Sequence, residues 1–127
     1  MKDGVRTRKI NKIKKQVIEN MTSLGVYKNE FDILINRYAE MQLQYEVLKE
    51  EWIEGGCLIT EEFKNKSGIV NIRKTAQYLS LEMLRKDLFE IENALGLTPK
   101  GYKAIKSGGT AGKKQSKILS ALTNLDG

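Results

Sequence analysis

Between Asn29 and Gly55 the apolar side chains fall at Phe31, Leu34, Tyr38, Met41, Tyr45, Leu48 and Trp52, in alternating steps of three and four. That spacing holds over three heptads and fits only a helix with one continuous seam. It predicts a helix over 29–54, about 39 Å long. Asn29 is the expected cap at its start, and the pair Gly55-Gly56 its stop. Ile33, Ile35, Leu43 and Val47 lie off the seam, so this helix has apolar groups for a second neighbour.

Two further stretches carry helical spacing. Ile10, Ile13, Val17, Met21 and Leu24 form one stripe, which predicts a helix over about 7–24 ending at Gly25. Residues 71–95 hold two stripes, one through Ile72, Ala76, Leu79 and Met83, the other through Leu81, Leu84, Leu88, Ile91 and Leu95. Two stripes exceed what a two-helix hairpin can bury, so a third helix or a second copy of the chain is expected to cover the surplus. The connector GGCLITEEFKNKSGIV places Leu58, Ile59 and Phe63 before a Lys-Asn-Lys-Ser-Gly turn and Ile69 and Val70 after it, a pattern compatible with a short β-hairpin. Thr98 and Pro99 read as cap and first residue of a short helix to about 106, weakened by Gly101. SGGTAGKK then reads as a linker.

The expected fold is all-α: an antiparallel hairpin of helices with the N-terminal helix beside it. Three regions follow: a basic N-terminal arm and helix (1–25), a helical-hairpin oligomerisation core (26–106) and a C-terminal tail (107–127). The residues expected to hold the assembly are Phe31, Leu34, Tyr38, Met41, Tyr45, Leu48 and Trp52 with Leu81, Leu84, Leu88 and Ile91.

Charge is distributed unevenly. The chain carries 22 basic and 16 acidic residues, a net +6. Lys2, Arg6, Arg8, Lys9, Lys12, Lys14 and Lys15 crowd the first turns against a single carboxylate, Asp3. Lys100, Lys103, Lys106, Lys113, Lys114 and Lys117 crowd the end, while the centre is acidic. Basic ends on an acidic centre point to an anionic polymer as partner. Arg6, Arg8, Lys9, Lys12, Lys14 and Lys15 are the candidate DNA-binding set, since cations at this density bind phosphates by releasing counterions. The alternatives are a solvated face and a membrane-surface helix, the latter opposed by the lack of Trp or Phe on its apolar side.

Catalytic patterns are missing. With no His and a single Cys, Cys57, the chain has no Ser-His-Asp triad, Cys-His pair or internal disulfide. SGGTAGKKQS departs from a phosphate-binding loop in spacing and follows no strand. Glu50, Glu51, Glu54, Glu61 and Glu62 read as solvated carboxylates. No metal or cofactor site is expected. No run of 18 apolar residues occurs and MKDGVRTRK has no apolar stretch of a secretory signal, so an intracellular protein is expected.

The order of elements supports a resemblance. A helix running into Leu24-Gly25-Val26-Tyr27 is followed by a long helix with Arg37-Tyr38-Ala39, a glycine-bearing connector, and a helix closing in Leu95-Gly96-Leu97-Thr98-Pro99. This resembles the small subunit of tailed-phage terminases from about Lys14 to Ile105. Two features depart from the family pattern: Lys100, Gly101 and Tyr102 follow the proline in place of small residues and an arginine, and Asn71 precedes Ile72 rather than a proline. The resemblance implies a ring of helical subunits without enzymatic activity. It implies binding to double-stranded viral DNA at the packaging start in the host cytoplasm, and recruitment and regulation of a large subunit that holds the ATPase and nuclease. On that reading the tail residues Ile118, Leu119, Leu122 and Leu125 are the expected contact with the large subunit. Two other classes stay open: a coiled-coil adaptor without a DNA role, and a metal-dependent nucleic-acid enzyme using Glu50, Glu54 and Glu61.

Overall fold

The computed structural model describes residues 1–108. The element order is α1 (Asp3–Leu24), a 3₁₀ turn (Asn29–Phe31), α2 (Asp32–Glu54), β1 (Thr60–Lys64), β2 (Val70–Lys74), α3 (Ala76–Ala94) and α4 (Pro99–Lys106). The expected all-α fold with a small hairpin in the connector is what the chain adopts.

Helix α2 is the middle of a three-helix layer, packing on α1 along one flank and on α3 along the other. Its two apolar stripes explain this. Toward α1 it presents Ala39 and Leu43, which close over Ile10 with Val47 and Ile13 at the margin. The larger cluster joins Val17 and Met21 of α1, Ile35 and Tyr38 of α2, and Leu88 and Leu95 of α3 and its end. Met21, Ile35, Leu81 and Leu95 are wholly enclosed. Burial of each such side chain contributes about 1.5–3 kcal/mol.

The seam expected to hold copies together is therefore largely an intrachain seam. Tyr38, Leu81 and Leu88 are buried, and Phe31, Leu34, Met41, Tyr45 and Ile91 pack against the buried cluster. Leu48, Trp52 and Leu84 are half-buried. Trp52 lies 6.0 Å from the Tyr78 ring and donates its indole N–H to the Leu58 carbonyl at 2.9 Å, fixing the base of the β-hairpin. The apolar groups left exposed are others, among them Ile33 on α2 and Leu79, Met83 and Phe89 on α3.

Helix boundaries differ from expectation at three places. α1 begins at Asp3, four residues early, with a carboxylate in its first turn where the helix dipole favours one. Asn29 does not cap α2; it sits in the 3₁₀ turn and accepts from the Tyr27 hydroxyl, which also donates to Asp32 at 2.8 Å. The largest difference is at residue 71. Val70–Lys74 is a strand paired antiparallel with Thr60–Lys64, and α3 starts only after Thr75, whose hydroxyl caps it by accepting from the Tyr78 N–H at 3.1 Å. Ile72 is thus not part of a helical stripe but an exposed strand residue. Val70 and Ile72 are β-branched and separated by two, which favours a strand face when an Asn-Lys-Ser-Gly turn precedes them.

The other end of the layer is closed by two helix stops of one kind. Gly25 and Gly96 adopt φ of 72° and 76°. After each, the next amide donates back to the helix, Val26 to the Met21 carbonyl and Leu97 to the Glu92 carbonyl, both at 2.9 Å. These are Schellman closures, with Val26 and Leu97 turned back onto the core. Thr98 then caps α4, accepting from the Gly101 N–H at 2.9 Å, and Pro99 occupies its first turn. Gly101 is not a weak point of α4. It is buried against α3, and any Cβ there would overlap the Asn93 carbonyl. Gly101→Ala is expected to destabilise the chain by about 1–3 kcal/mol through forced separation of α3 and α4, the reverse of Ala's usual advantage in a helix. Chemical denaturation of parent and variant checks the sign.

Candidate nucleic-acid interface

The N-terminal cations are set along α1 by the same helix that buries Ile10, Val17 and Met21. Like charges three and four residues apart, as in Arg8, Lys12 and Lys15, repel by about 0.2–0.5 kcal/mol per pair. Burial of the apolar side holds the helix together despite that repulsion. Among the described residues the ion pairs are Arg73 with Glu61 at 2.9 Å and Lys74 with Glu82 at 3.0 Å. None of Arg6, Arg8, Lys9, Lys12, Lys14 and Lys15 is in one.

The six do not share one face. Lys9 and Lys12 line a groove of about 910 Å³ on one side of the layer, between α1 and α3. Its α2 side is formed by Tyr38, Gln42 and Glu46, and Glu92 closes it from α3. Arg6 lines a smaller groove of about 400 Å³ with Leu43, Val47, Leu48 and Leu84. Arg8 and Lys15 are exposed and line neither groove, and Lys14 is half-buried. Arg8 donates through Nε to the Gly4 carbonyl at 3.3 Å. Arg6, Lys9 and Lys12 are exposed as well.

Several of the other charged groups have structural partners. Arg85 donates to the Tyr45 hydroxyl at 3.0 Å and sits 5.7 Å from its ring, tying α3 to α2. Lys106 donates to the Gly25 carbonyl at 3.3 Å, so α4 binds the end of α1. Glu61 is held by Arg73. Among the described residues no three His, Cys, Asp or Glu side chains are grouped so as to hold a metal ion, and Glu50, Glu54 and Glu61 form no such set. No helix among the described residues is long and apolar enough to cross a membrane. Ile118, Leu119, Leu122 and Leu125 lie outside the described residues.

The family model described as "Phage terminase, small subunit" matches residues 12–112, most of the chain. The chain belongs to the phage terminase small subunit family. No curated protein and no solved structure matches it. Membership gives the chain a role in phage DNA packaging, and the match takes in all of α2, α3, α4 and the β-hairpin. The first turns of α1, with Arg6, Arg8 and Lys9, precede the matched span.

Inside the larger groove, the Tyr38 hydroxyl donates to the Glu92 carboxylate at 3.2 Å. Nothing in the sequence signals this pairing, since 54 residues separate the two. Burial first, and then the Glu92 charge, push the Tyr38 pKa well above its ordinary 10.0. The folded chain keeps a proton that the unfolded chain releases above pH 10, so this contribution to stability is full below that pH and fades as pH rises through the folded value. Tyr38→Phe is expected to cost about 1 kcal/mol at neutral pH because the hydrogen bond is no longer made. Unfolding free energy measured against pH should fall less steeply for the variant than for the parent above about pH 10.

Proposed function

We propose that this chain binds double-stranded viral DNA through α1 and delivers it to the large terminase subunit in the host cytoplasm, as one copy in a closed ring. The reading rests on the row of cations along α1, none of them in an ion pair among the described residues, in a member of this family. The contacts are to phosphates: Arg8, Lys9, Lys12 and Lys15 are spaced along one helix and reach a charged backbone without reading bases. Specificity for the packaging start then comes from duplex shape and bending.

A few lysines per chain bind weakly at physiological salt. A ring presents the same arm many times, and the contacts act together. The surfaces left for copy–copy contact are exposed apolar groups, Ile33 on α2 and Leu79 and Met83 on α3. The seam residues Tyr38, Leu81 and Leu88 serve assembly by fixing the protomer's form. The chain supplies no catalytic step in this reading; cleavage and ATP hydrolysis belong to the large subunit. The tail, with Ile118, Leu119, Leu122 and Leu125, is assigned to recruiting it.

Replacing Arg8, Lys9, Lys12 and Lys15 by Ala should weaken duplex binding and lower the slope of log affinity against log salt by about 0.9 for each phosphate that the variant leaves unneutralised. Fluorescence anisotropy with a labelled duplex over a range of salt measures both. Equal slopes for parent and variant would make α1 a solvated face and favour an adaptor without a DNA role.

A further inference from the structure

No residue of the β-hairpin lines either groove. The hairpin is fixed at its base, where the Trp52 indole N–H and the Thr75 hydroxyl both donate to the Leu58 carbonyl. From there its five-residue strands run out into solvent for about 17 Å. The tip is also held. Asn65 Oδ1 accepts from the Ser67 and Ile69 amides at 3.0 Å, and the Gly68 amide donates to the Asn65 carbonyl at 3.0 Å. Gly68 takes a φ of 79°, which the turn requires. A two-stranded ribbon in water is marginal by itself, so its exposure calls for a partner.

Charge decides the kind of partner. Residues 63–74 hold Lys64, Lys66, Arg73 and Lys74 and no carboxylate, within a centre that is acidic as a whole. The fold sorts the four. Arg73 and Lys74, near the base, pair with Glu61 and Glu82. Lys64, in the last rung opposite Val70, and Lys66, in the turn, are exposed and belong to neither pair. Glu62 stands nearer the base, opposite Ile72. Lysines on an open ribbon work against pairing with another strand edge. Two strands fit the major groove of DNA. The topology also sets the ribbon beside α1. Met1 and Arg6 share the smaller groove with Leu48 and Glu51, so the basic first turns of α1 lie against the last turns of α2. Residues 55–59 lead from there into β1. Helix and ribbon, far apart in sequence, are two cationic elements at one end of the layer.

We propose that the β-hairpin is a second DNA contact of this chain: its tip enters the major groove of the duplex that α1 binds, with Lys64 and Lys66 against phosphates at the edge of the groove. This rests on the reading that α1 binds duplex DNA and adds a second point of attachment to it. Two points fix the direction of the duplex across the layer, whereas phosphate contacts from one helix leave it free to slide. A ribbon seated in a groove also makes groove width part of what the chain senses, in keeping with recognition by duplex shape.

The test uses the full-length chain with Lys64→Ala and Lys66→Ala, titrated with a labelled duplex over a range of salt beside the parent and the α1 variant. The slope of log affinity against log salt should fall by about 0.9 for each of the two lysines, with a loss of about tenfold or more in affinity near ~0.1 M salt. Lys64→Arg with Lys66→Arg should keep the parent slope. Trp52 is the one tryptophan of the chain and is bonded to the base of the ribbon, so its emission reports whether the hairpin is intact. If the double variant alters that emission, Lys66→Ala alone, outside the strand ladder, carries the test with a fall of about 0.9. A parent slope in the hairpin variant, with a lowered slope in the α1 variant, would overturn the ribbon contact and leave the α1 reading standing. Parent slopes in both would overturn both. A smaller mass by light scattering at an unchanged slope would make the ribbon a contact between copies and likewise overturn the proposal.

Discussion

Everything in this molecule follows from α2 being apolar along two flanks. Ala39 and Leu43 close on α1, and Ile35 and Tyr38 join the cluster to which α1 and α3 both contribute. A helix so placed becomes the middle of a layer rather than one corner of a bundle, and the layer keeps two open grooves. One is lined by Lys9 and Lys12, the other by Leu43, Val47, Leu48 and Leu84. A chain of 127 residues buries a modest share of its surface. Such a layer is physically suited to gaining stability from further partners.

The ends of the layer are treated differently. At one end, Gly25 and Gly96 stop two helices by the same closure, and α4 locks across them through Ile105 and Lys106. The Cβ that Gly96 lacks would lie 2.8 Å from Ile105 Cδ1. At the other end, the β-hairpin is tied by Trp52 and Thr75, which both donate to the Leu58 carbonyl at 2.9 Å. Beyond that tie its residues are almost all exposed. Rigid closure therefore lies beside α4, and the hairpin extends from the opposite end.

Much of this is legible in the sequence. The alternating three-four steps from Phe31 to Trp52 specify α2, and Leu-Gly-Leu-Thr-Pro spells out a helix stop, a cap and a new start. The start of α3 is not legible. Ile72 stands four residues before Ala76 and so mimics a helical step, and only strand pairing reveals its period of two. The role of Gly101 is hidden because helix propensity is local, whereas its requirement is a carbonyl on another helix. Sequence also groups six cations that the fold separates, Lys9 and Lys12 to one groove and Arg6 to the other, because one apolar stripe leaves the rest of a helix circumference undivided. The α2 seam conceals its partner for a related reason: a stripe shows that something must cover it, and the cover is supplied largely within the same chain.

A packaging role built on weak phosphate contacts stands or falls on whether copies of this layer close into a ring that multiplies them. Light scattering coupled to size exclusion, on the full chain at micromolar concentration without DNA, answers that. A closed ring gives a single species of several copies whose mass does not change on dilution. A mass of 14.4 kDa, that of one chain, would contradict it.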